Sequence, residues 1–220
     1  VASDTQQFFF LKKKPVVIYY VIDQQNILKL SKKNLSKKDQ SIFIGKKNKI
    51  LSICRFAPQK DFITLIKAFK LFLSQVRVAN LYLIGDGPDK SKLQQLVEDS
   101  HLGNSVHFLG WKQNVYPYIK NADVFILSSH YEGFPFVLLE ATALNKPIVA
   151  TDTPYGPREF IKGIGRGIVV PMRKPEDMYN AITKTLIPIK TRGLFLNKKM
   201  KLFSERTMLN NYLNLLKYLL

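Results

Sequence analysis

The amino-acid sequence predicts an α/β fold built on a doubly wound, parallel, Rossmann-like sheet. Two observations carry that expectation. From Asn48 onward, short runs rich in β-branched residues alternate with helical stripes of apolar residues, the pattern of repeated strand–helix crossovers. Most of the runs are apolar at every position rather than at alternate ones, which marks strands buried on both faces, as in parallel sheets. In such sheets ligands bind beyond the carboxyl ends of the strands. The loops that follow the strands are therefore where chemistry is sought.

Taken in order, residues 1–47 are polar and lysine-rich around one apolar run, Val16–Ile22, and read as a linker carrying one strand. The sheet strands follow as Ile50–Cys54, Asn80–Ile84, Val106–Phe108, Val124–Leu127, Ile148–Ala150 and Gly167–Val170. Between Phe62 and Val76 the apolar residues 62, 65, 66, 69, 72, 73 and 76 fall on one helical face. Leu93, Leu96 and Val97 mark a second helix, and Phe136 to Leu144 a third. Asn145 ends that third helix, because asparagine tolerates the left-handed cap position. A fourth runs from Met178 to Leu186. Ser204 is placed to cap a last helix whose Met208, Leu209, Tyr212, Leu213, Leu216 and Leu219 form an apolar stripe.

Composition narrows the functional classes. The 220 residues are 46 % hydrophobic and 23 % charged, ordinary for a soluble globular protein. The only cysteine, Cys54, excludes a disulfide framework within the chain and a cysteine-based zinc site, and suits a reducing cytoplasm. No apolar run approaches the roughly 20 residues that span a bilayer, and no signal peptide is visible. Val1 in place of Met points to the interior of a longer gene product or to a trimmed start. The formal charge is +18, and residues 1–50 hold eleven Lys against three Asp. A second basic cluster, Lys184 to Lys201, contains no acid. Attraction to an anionic membrane surface or to phosphorylated substrates is one reading, and a lysine-rich solvated surface is the other. Nucleic acid is not expected, because arginines and aromatics are not interleaved with the lysines.

Five loops bear on chemistry. Arg55-Phe-Ala-Pro-Gln-Lys60 follows the first sheet strand, and its two cations bracket a turn. A guanidinium and an ammonium there suit a diphosphate, although two solvated cations would look the same by spacing. In Gly85-Asp-Gly-Pro88 glycine at the strand end permits close backbone approach to a ligand, although such turns often use glycine for packing alone. Leu109-Gly110-Trp111 carries the only tryptophan, which either flanks a nucleobase or plugs a surface groove. The fourth loop, Ser128 to Glu140, runs from a strand end through a glycine turn into a helix beginning near Pro135. Its N–H groups and dipole make an anion site. Glu132 in the turn and Glu140 one turn into the helix are out of place beside an anion unless they receive hydroxyl groups, which sugars supply; two exposed glutamates favoured at a helix start are the plain alternative. Thr151 to Glu159 alone reads as a generic turn-rich loop. Metal ligation is not expected, since no two histidines stand at ligand spacing and no Asp-x-Asp occurs. A leaving diphosphate would then be offset by Arg55 and Lys60.

In this order the loops resemble glycosyltransferase family 4. The resemblance spans about Ile50 to Ile187 and rests on Arg55–Lys60, Leu83-Ile-Gly-Asp-Gly-Pro88, Val106-His-Phe-Leu-Gly110, Asn121–Ser129, Tyr131-Glu-Gly-Phe-Pro135, Pro147–Asp152 and Gly156-Pro-Arg-Glu159. Glu132 and Glu140 match the family's Glu-x7-Glu signature. The resemblance implies the C-terminal, donor-binding half of a GT-B fold and anomer-retaining, metal-independent transfer from a nucleotide-sugar, a UDP-sugar, to a glycan or lipid-linked acceptor. Arg55 and Lys60 would hold the diphosphate, Glu140 the ribose and Glu132 the sugar, with Arg55, Lys60 and Glu132 forming the catalytic set. Gly110 and Trp111 would border the nucleotide, and Gly133, Phe134, Pro135, Val137 and Leu138 would line sugar and phosphates. No cofactor and no metal are implied.

Tyr116-Pro-Tyr-Ile-Lys120 and Tyr155-Gly-Pro-Arg158 look like the enzymes that build surface polysaccharide or lipid-linked oligosaccharide at the cytoplasmic face of the membrane. Residues 1–47 would be a remnant of the N-terminal domain and linker, 48–203 the nucleotide-sugar domain, and 204–220 a helix that packs back on the absent domain. Cys54 departs from the family's usual Gly, Tyr20-Val21 from Asn-Pro or Asn-Gly, and Asn145 from a helix-ending Gly. A GDP-sugar transferase, a nucleotide-sugar epimerase, an inactive nucleotide-sugar-binding module and a basic interaction protein remain as alternatives.

Overall fold

The computed structural model describes residues 15–43, 45, 48–76, 78–164, 167–186 and 203–219. Two short helices, α1 (Gln24–Leu30) and α2 (Lys37–Phe43), precede the first strand, β1 (Asn48–Ile53). The chain then runs through α3 (Phe62–Gln75), β2 (Ala79–Ile84), α4 (Lys90–Asp99), β3 (Val106–Gly110), α5 (Tyr116–Asn121) and β4 (Val124–Leu127). It continues with α6 (Phe136–Ala143), β5 (Ile148–Thr151), α7 (Pro157–Ile164), β6 (Ile168–Val170), α8 (Pro175–Leu186) and α9 (Glu205–Leu219).

All neighbouring strands are parallel, in the order β3-β2-β1-β4-β5-β6. The chain winds outward from β1 to β3, then crosses back to lay β4 on the other side of β1. The direction of winding therefore reverses between β1 and β4. There the loops after two adjacent strands diverge and leave a crevice at their carboxyl ends.

The two faces of the sheet are both dry. Leu51, Tyr82, Ile84, Phe125, Leu127, Ile148 and Ala150 point into one core, with residues of α5, α6 and α7. Ile50, Leu81, Leu83, Val124, Ile126 and Val149 point into the other, with residues of α3, α4 and α8. This alternation along strands buried on both faces explains the uninterrupted apolar runs of the sequence. Asn145 takes a left-handed φ of 61°, as expected of its cap position. The N–H of Lys146 reaches back to the carbonyl of Ala141 at 2.9 Å and closes the helix end.

Three local expectations change. The strand over Val16–Ile22 is not formed. Val16 and Tyr20 are each 60 % exposed, while Tyr19 and Ile22 pack on the first core as an extended strap. An apolar run of this length is consistent with either arrangement, and the sheet edges are β3 and β6. Helices α1 and α2 occupy part of the segment read as linker. Finally, α5 and α7 form where only loops were read. Each is six to eight residues long, below the window in which a helical stripe is recognisable. The lysine-rich stretch between 187 and 201 lies outside the described residues.

Candidate functional site

The crevice between β1 and β4 is walled by two loops that are stitched together. The Ser128 hydroxyl donates to the Lys60 carbonyl at 2.6 Å, and the His130 N–H to the Gln59 carbonyl at 2.8 Å. The Gln59 side-chain amide donates to the Tyr131 carbonyl at 2.7 Å. Pro58–Lys60 forms one turn of 3₁₀ helix ending at Asp61, whose φ is 43°. The Asp61 carboxylate caps α3 through the Thr64 N–H at 3.1 Å and the Thr64 hydroxyl at 2.7 Å. That cap fixes the path of the loop and brings Lys60 to face the turn after β4.

At the centre Lys60 Nζ meets Glu132 Oε1 at 2.6 Å, with only 18 % and 11 % of the two side chains exposed. The hydroxyl of Ser129, fully buried, donates to the same oxygen at 2.6 Å. Cys54 lies within electrostatic reach of both charges. Burial pushes its thiol up to about 12, Lys60 pulls it down and Glu132 adds to the rise. The thiol is thus a neutral wall at neutral pH.

The backbone packs too closely for a larger residue at Gly85, Gly87 and Gly156, and a side chain at Gly87 would meet the Phe56 carbonyl oxygen at 2.3 Å. A side chain at Gly85 (φ 141°) would meet the Cys54 carbonyl oxygen at 1.9 Å. One at Gly156 (φ 87°) would stand 2.9 Å from the Gly133 carbonyl oxygen and 3.0 Å from Pro135. Gly85 thus serves loop packing, while Gly156 lets the loop after β5 press on the turn that carries Glu132.

Helix α6 starts beside this pair. Pro135 precedes it without a side-chain cap. The Phe136 and Leu138 N–H groups are taken by the carbonyls of Phe134 (3.0 Å) and Pro135 (2.9 Å). The N–H groups of Gly133, Phe134 and Val137 carry no hydrogen bond among the described residues. The helix beginning therefore retains donors aimed toward its own amino end, beside an ammonium. Leu138 itself is fully buried with its N–H occupied, and Pro135 has none to give. Of the segment Gly133–Leu138 expected to line the ligand, these two offer no unoccupied backbone donor.

One turn into α6, Glu140 Oε1 accepts from the Tyr116 hydroxyl at 3.1 Å. Burial raises the Glu140 carboxyl above the ordinary range, and the tyrosine's hydrogen bond pulls it partly back. Tyr116 is pushed up to about 12 by burial and by the glutamate's charge and hydrogen bond. The two glutamates thus sit in different settings, Glu132 against a cation and Glu140 against a phenol.

Arg55 is exposed, with no side-chain hydrogen bond or ion pair among the described residues. Gly110 ends β3 with a φ of 69° and accepts from the Gly85 N–H at 3.1 Å. Trp111 is 72 % exposed, so it plugs no groove in this molecule. Among the described residues no three His, Cys, Asp or Glu side chains gather as a metal ligand set.

Sequence reasoning missed Ser129, Tyr116, Gln59 and Gly156. Ser129 stood inside a highlighted segment, three residues before Glu132. Tyr116 opened another, but its partner is 24 positions away, a separation no local pattern encodes.

The family model described as "Glycosyl transferases group 1" matches residues 29–192. The chain is 30 % identical over 169 residues to a poly(glycerol-phosphate) alpha-glucosyltransferase of Bacillus subtilis, covering 77 % of the chain and 25 % of that protein. It is 32 % identical over 133 residues to the lipopolysaccharide core biosynthesis glycosyltransferase LpsE of Rhizobium meliloti, covering 60 % of the chain and 38 % of the relative. The crystal structure of Anabaena HepE in complex with UDP superposes with a TM-score of 0.77 at 22 % identity, over 99 % of this chain and 62 % of that one. In each case the chain spans less than two thirds of its counterpart. The sheet is accordingly the Rossmann-like sheet of GT-B glycosyltransferases, and with the family model matching most of its length, the chain belongs to the glycosyl transferases group 1 family.

Proposed function

We propose that this chain is the donor-binding half of a retaining glycosyltransferase that takes a UDP-sugar and passes the sugar to a glycan or lipid-linked acceptor without a metal ion. The observation that carries the reading is the Lys60–Glu132 pair at the switch point of the sheet, beside N–H groups of Gly133, Phe134 and Val137 that are unpaired among the described residues.

A diphosphate there receives an ammonium, a helix beginning and, from the exposed side, the guanidinium of Arg55. These charges stabilise the leaving nucleoside diphosphate as the glycosidic bond breaks, the task a divalent cation performs elsewhere. Glu140 takes the ribose hydroxyls, and Glu132 takes a hydroxyl of the sugar. Gly110 and Trp111 border the base, where an exposed indole offers a face for stacking.

Named relatives act on a poly(glycerol-phosphate) chain and on lipopolysaccharide core, which supports an anionic or lipid-linked glycan as acceptor. No helix of the described residues is long and apolar enough to cross a membrane. The charge of +18 supports peripheral attachment to anionic lipid at the cytoplasmic face. Titration calorimetry with UDP, with and without EDTA, tests the donor reading. Binding that survives chelation and disappears in Lys60→Ala is expected. Binding lost on chelation refutes metal independence, and binding indifferent to Lys60 refutes the site.

A further inference from the structure

The Lys60–Glu132 contact poses a problem for a diphosphate site. The ammonium meant for phosphate is already held by a carboxylate at 2.6 Å. Neither side chain is more than 18 % exposed, so water is a poor substitute for either partner. Glu132 has one other donor at the same oxygen, the Ser129 hydroxyl at 2.6 Å, on a fully buried residue. Ser129 therefore keeps the carboxylate in place when Lys60 turns away. The N–H groups of Gly133, Phe134 and Val137 attract the same phosphates from the other side.

We propose that Glu132 is a specificity-determining residue that makes the site prefer an intact nucleotide-sugar to the bare nucleoside diphosphate, by competing with the diphosphate for Lys60. The proposal rests on the donor-site reading above. A diphosphate that engages Lys60 must take it from Glu132. Bare UDP does so and returns nothing: the carboxylate keeps one hydroxyl donor in a nearly dry pocket and faces an added negative charge. An intact donor instead places sugar hydroxyls beside the turn, and these donate to the carboxylate that Lys60 has left. The same residue thus opposes the product and accepts the substrate, which speeds release of the nucleoside diphosphate after transfer. Arg55, exposed and without a carboxylate partner among the described residues, contributes attraction without this competition.

The test compares dissociation constants of UDP and UDP-glucose by calorimetry for the 220-residue chain and its Glu132→Gln variant. Glutamine keeps the size and an acceptor for Ser129 but has no charge with which to hold Lys60. UDP is expected to bind the variant at least about fivefold more tightly than the unaltered chain. UDP-glucose should gain less, so that the preference for the intact donor falls. A Glu132→Ala variant, checked for unchanged circular dichroism and melting, is expected to tighten UDP in the same sense and covers the case in which Glu132→Gln fails to fold. Unchanged or weaker UDP binding in the folded variants, with Lys60→Ala still abolishing it, overturns this inference alone. UDP binding that ignores Lys60, or none at all, overturns the donor-site reading and the inference with it.

Discussion

At the residue scale, Glu140 and Glu132 carry opposite expectations. Glu140 accepts from Tyr116 and has no cation partner among the described residues, so on the proposed reading a ribose hydroxyl would add to its hydrogen bonds. Replacing it with alanine removes a charge-assisted bond of about 1.5–3 kcal/mol and weakens UDP roughly ten- to a hundredfold. Glu132→Ala should instead tighten UDP, and calorimetry on the two variants decides it. Because burial raises the Glu140 carboxyl, its charged form is lost at a higher pH than for an ordinary carboxylate. UDP affinity should accordingly begin to fall at mildly acidic pH in the unaltered chain and less so in Glu140→Ala.

Cys54 gives a second residue-scale expectation. Its thiol, pushed up to about 12 by burial, stays protonated in the folded chain, while an unfolded cysteine ionises near pH ~8.5. A raised acid pKa means stability is present below the unfolded value and lost above it. The urea midpoint of the unaltered chain should drop between pH 8 and pH 10 more than that of Cys54→Ala, and iodoacetamide should leave the folded thiol unmodified at pH 8. Rapid alkylation of the native chain would show that the thiol is not raised.

At the scale of elements, α2 is bound to the sheet by contacts that are tertiary rather than local. Asp39 is almost fully buried and accepts from Lys112 Nζ at 2.7 Å, the Tyr118 hydroxyl at 2.5 Å and the Ser36 hydroxyl at 2.7 Å. Burial alone would raise its carboxyl; these donors together hold it below the ordinary range. Phe43 packs its ring against Tyr82 and Tyr118, with centroids 4.3 Å and 5.6 Å away. Phe43→Ala should cost about 3–5 kcal/mol, and Asp39→Ala on the order of 3 kcal/mol by leaving Lys112 without its partner. Chemical denaturation checks both. Asp39's depressed pKa places its contribution above the unfolded value, so it vanishes as pH falls below about 4. A midpoint unchanged in either variant would mean that α2 is an appendage.

These contacts also show what was legible in the sequence. The six parallel strands and α3, α4, α6, α8 and α9 were readable because uninterrupted apolar runs and helical stripes are local signals. Glu132, Glu140, Lys60 and Arg55 were readable as candidates because they stand at strand ends and a helix start. Helices α1 and α2, with seven residues each, are too short to show a period, and what holds α2 is a carboxylate 73 positions from its ammonium. The pairing of Lys60 with Glu132, 72 positions apart, follows from the reversal of winding between β1 and β4. That reversal is a property of topology that no motif contains.

At the scale of the whole molecule, the groups proposed to bind the donor come, among the described residues, from one side of the crevice. Placing an acceptor hydroxyl against the anomeric carbon can account for roughly 7–11 kcal/mol of a barrier, and no described element provides that opposing wall. The 220-residue chain should bind UDP-sugar yet form no glycolipid when given radiolabelled UDP-sugars and a membrane lipid extract; robust product from a monomer would contradict this. The outer face of α9 exposes Leu209, Tyr212, Leu213 and Leu216 at about half of their surface, which favours self-association of the chain. Lys32, Lys33, Lys49 and Lys120 line a cleft of about 340 Å³ near the amino end of β1, away from the donor loops. Co-sedimentation with anionic vesicles should be strong at low salt and lost at high salt, and binding that ignores salt would contradict an electrostatic origin.

A chain of charge +18 will attract many anions, so the site of binding is more telling than binding itself. Amide NMR of the uniformly ¹⁵N-labelled chain titrated with UDP reads that site directly. Saturable shifts are expected at Arg55, Lys60, Gly110, Trp111, Gly133, Phe134, Val137 and Glu140, unaffected by EDTA and absent in Lys60→Ala. Shifts confined to Lys32, Lys33, Lys49 and Lys120, or none at the loops after β1 and β4, would contradict the donor-site reading.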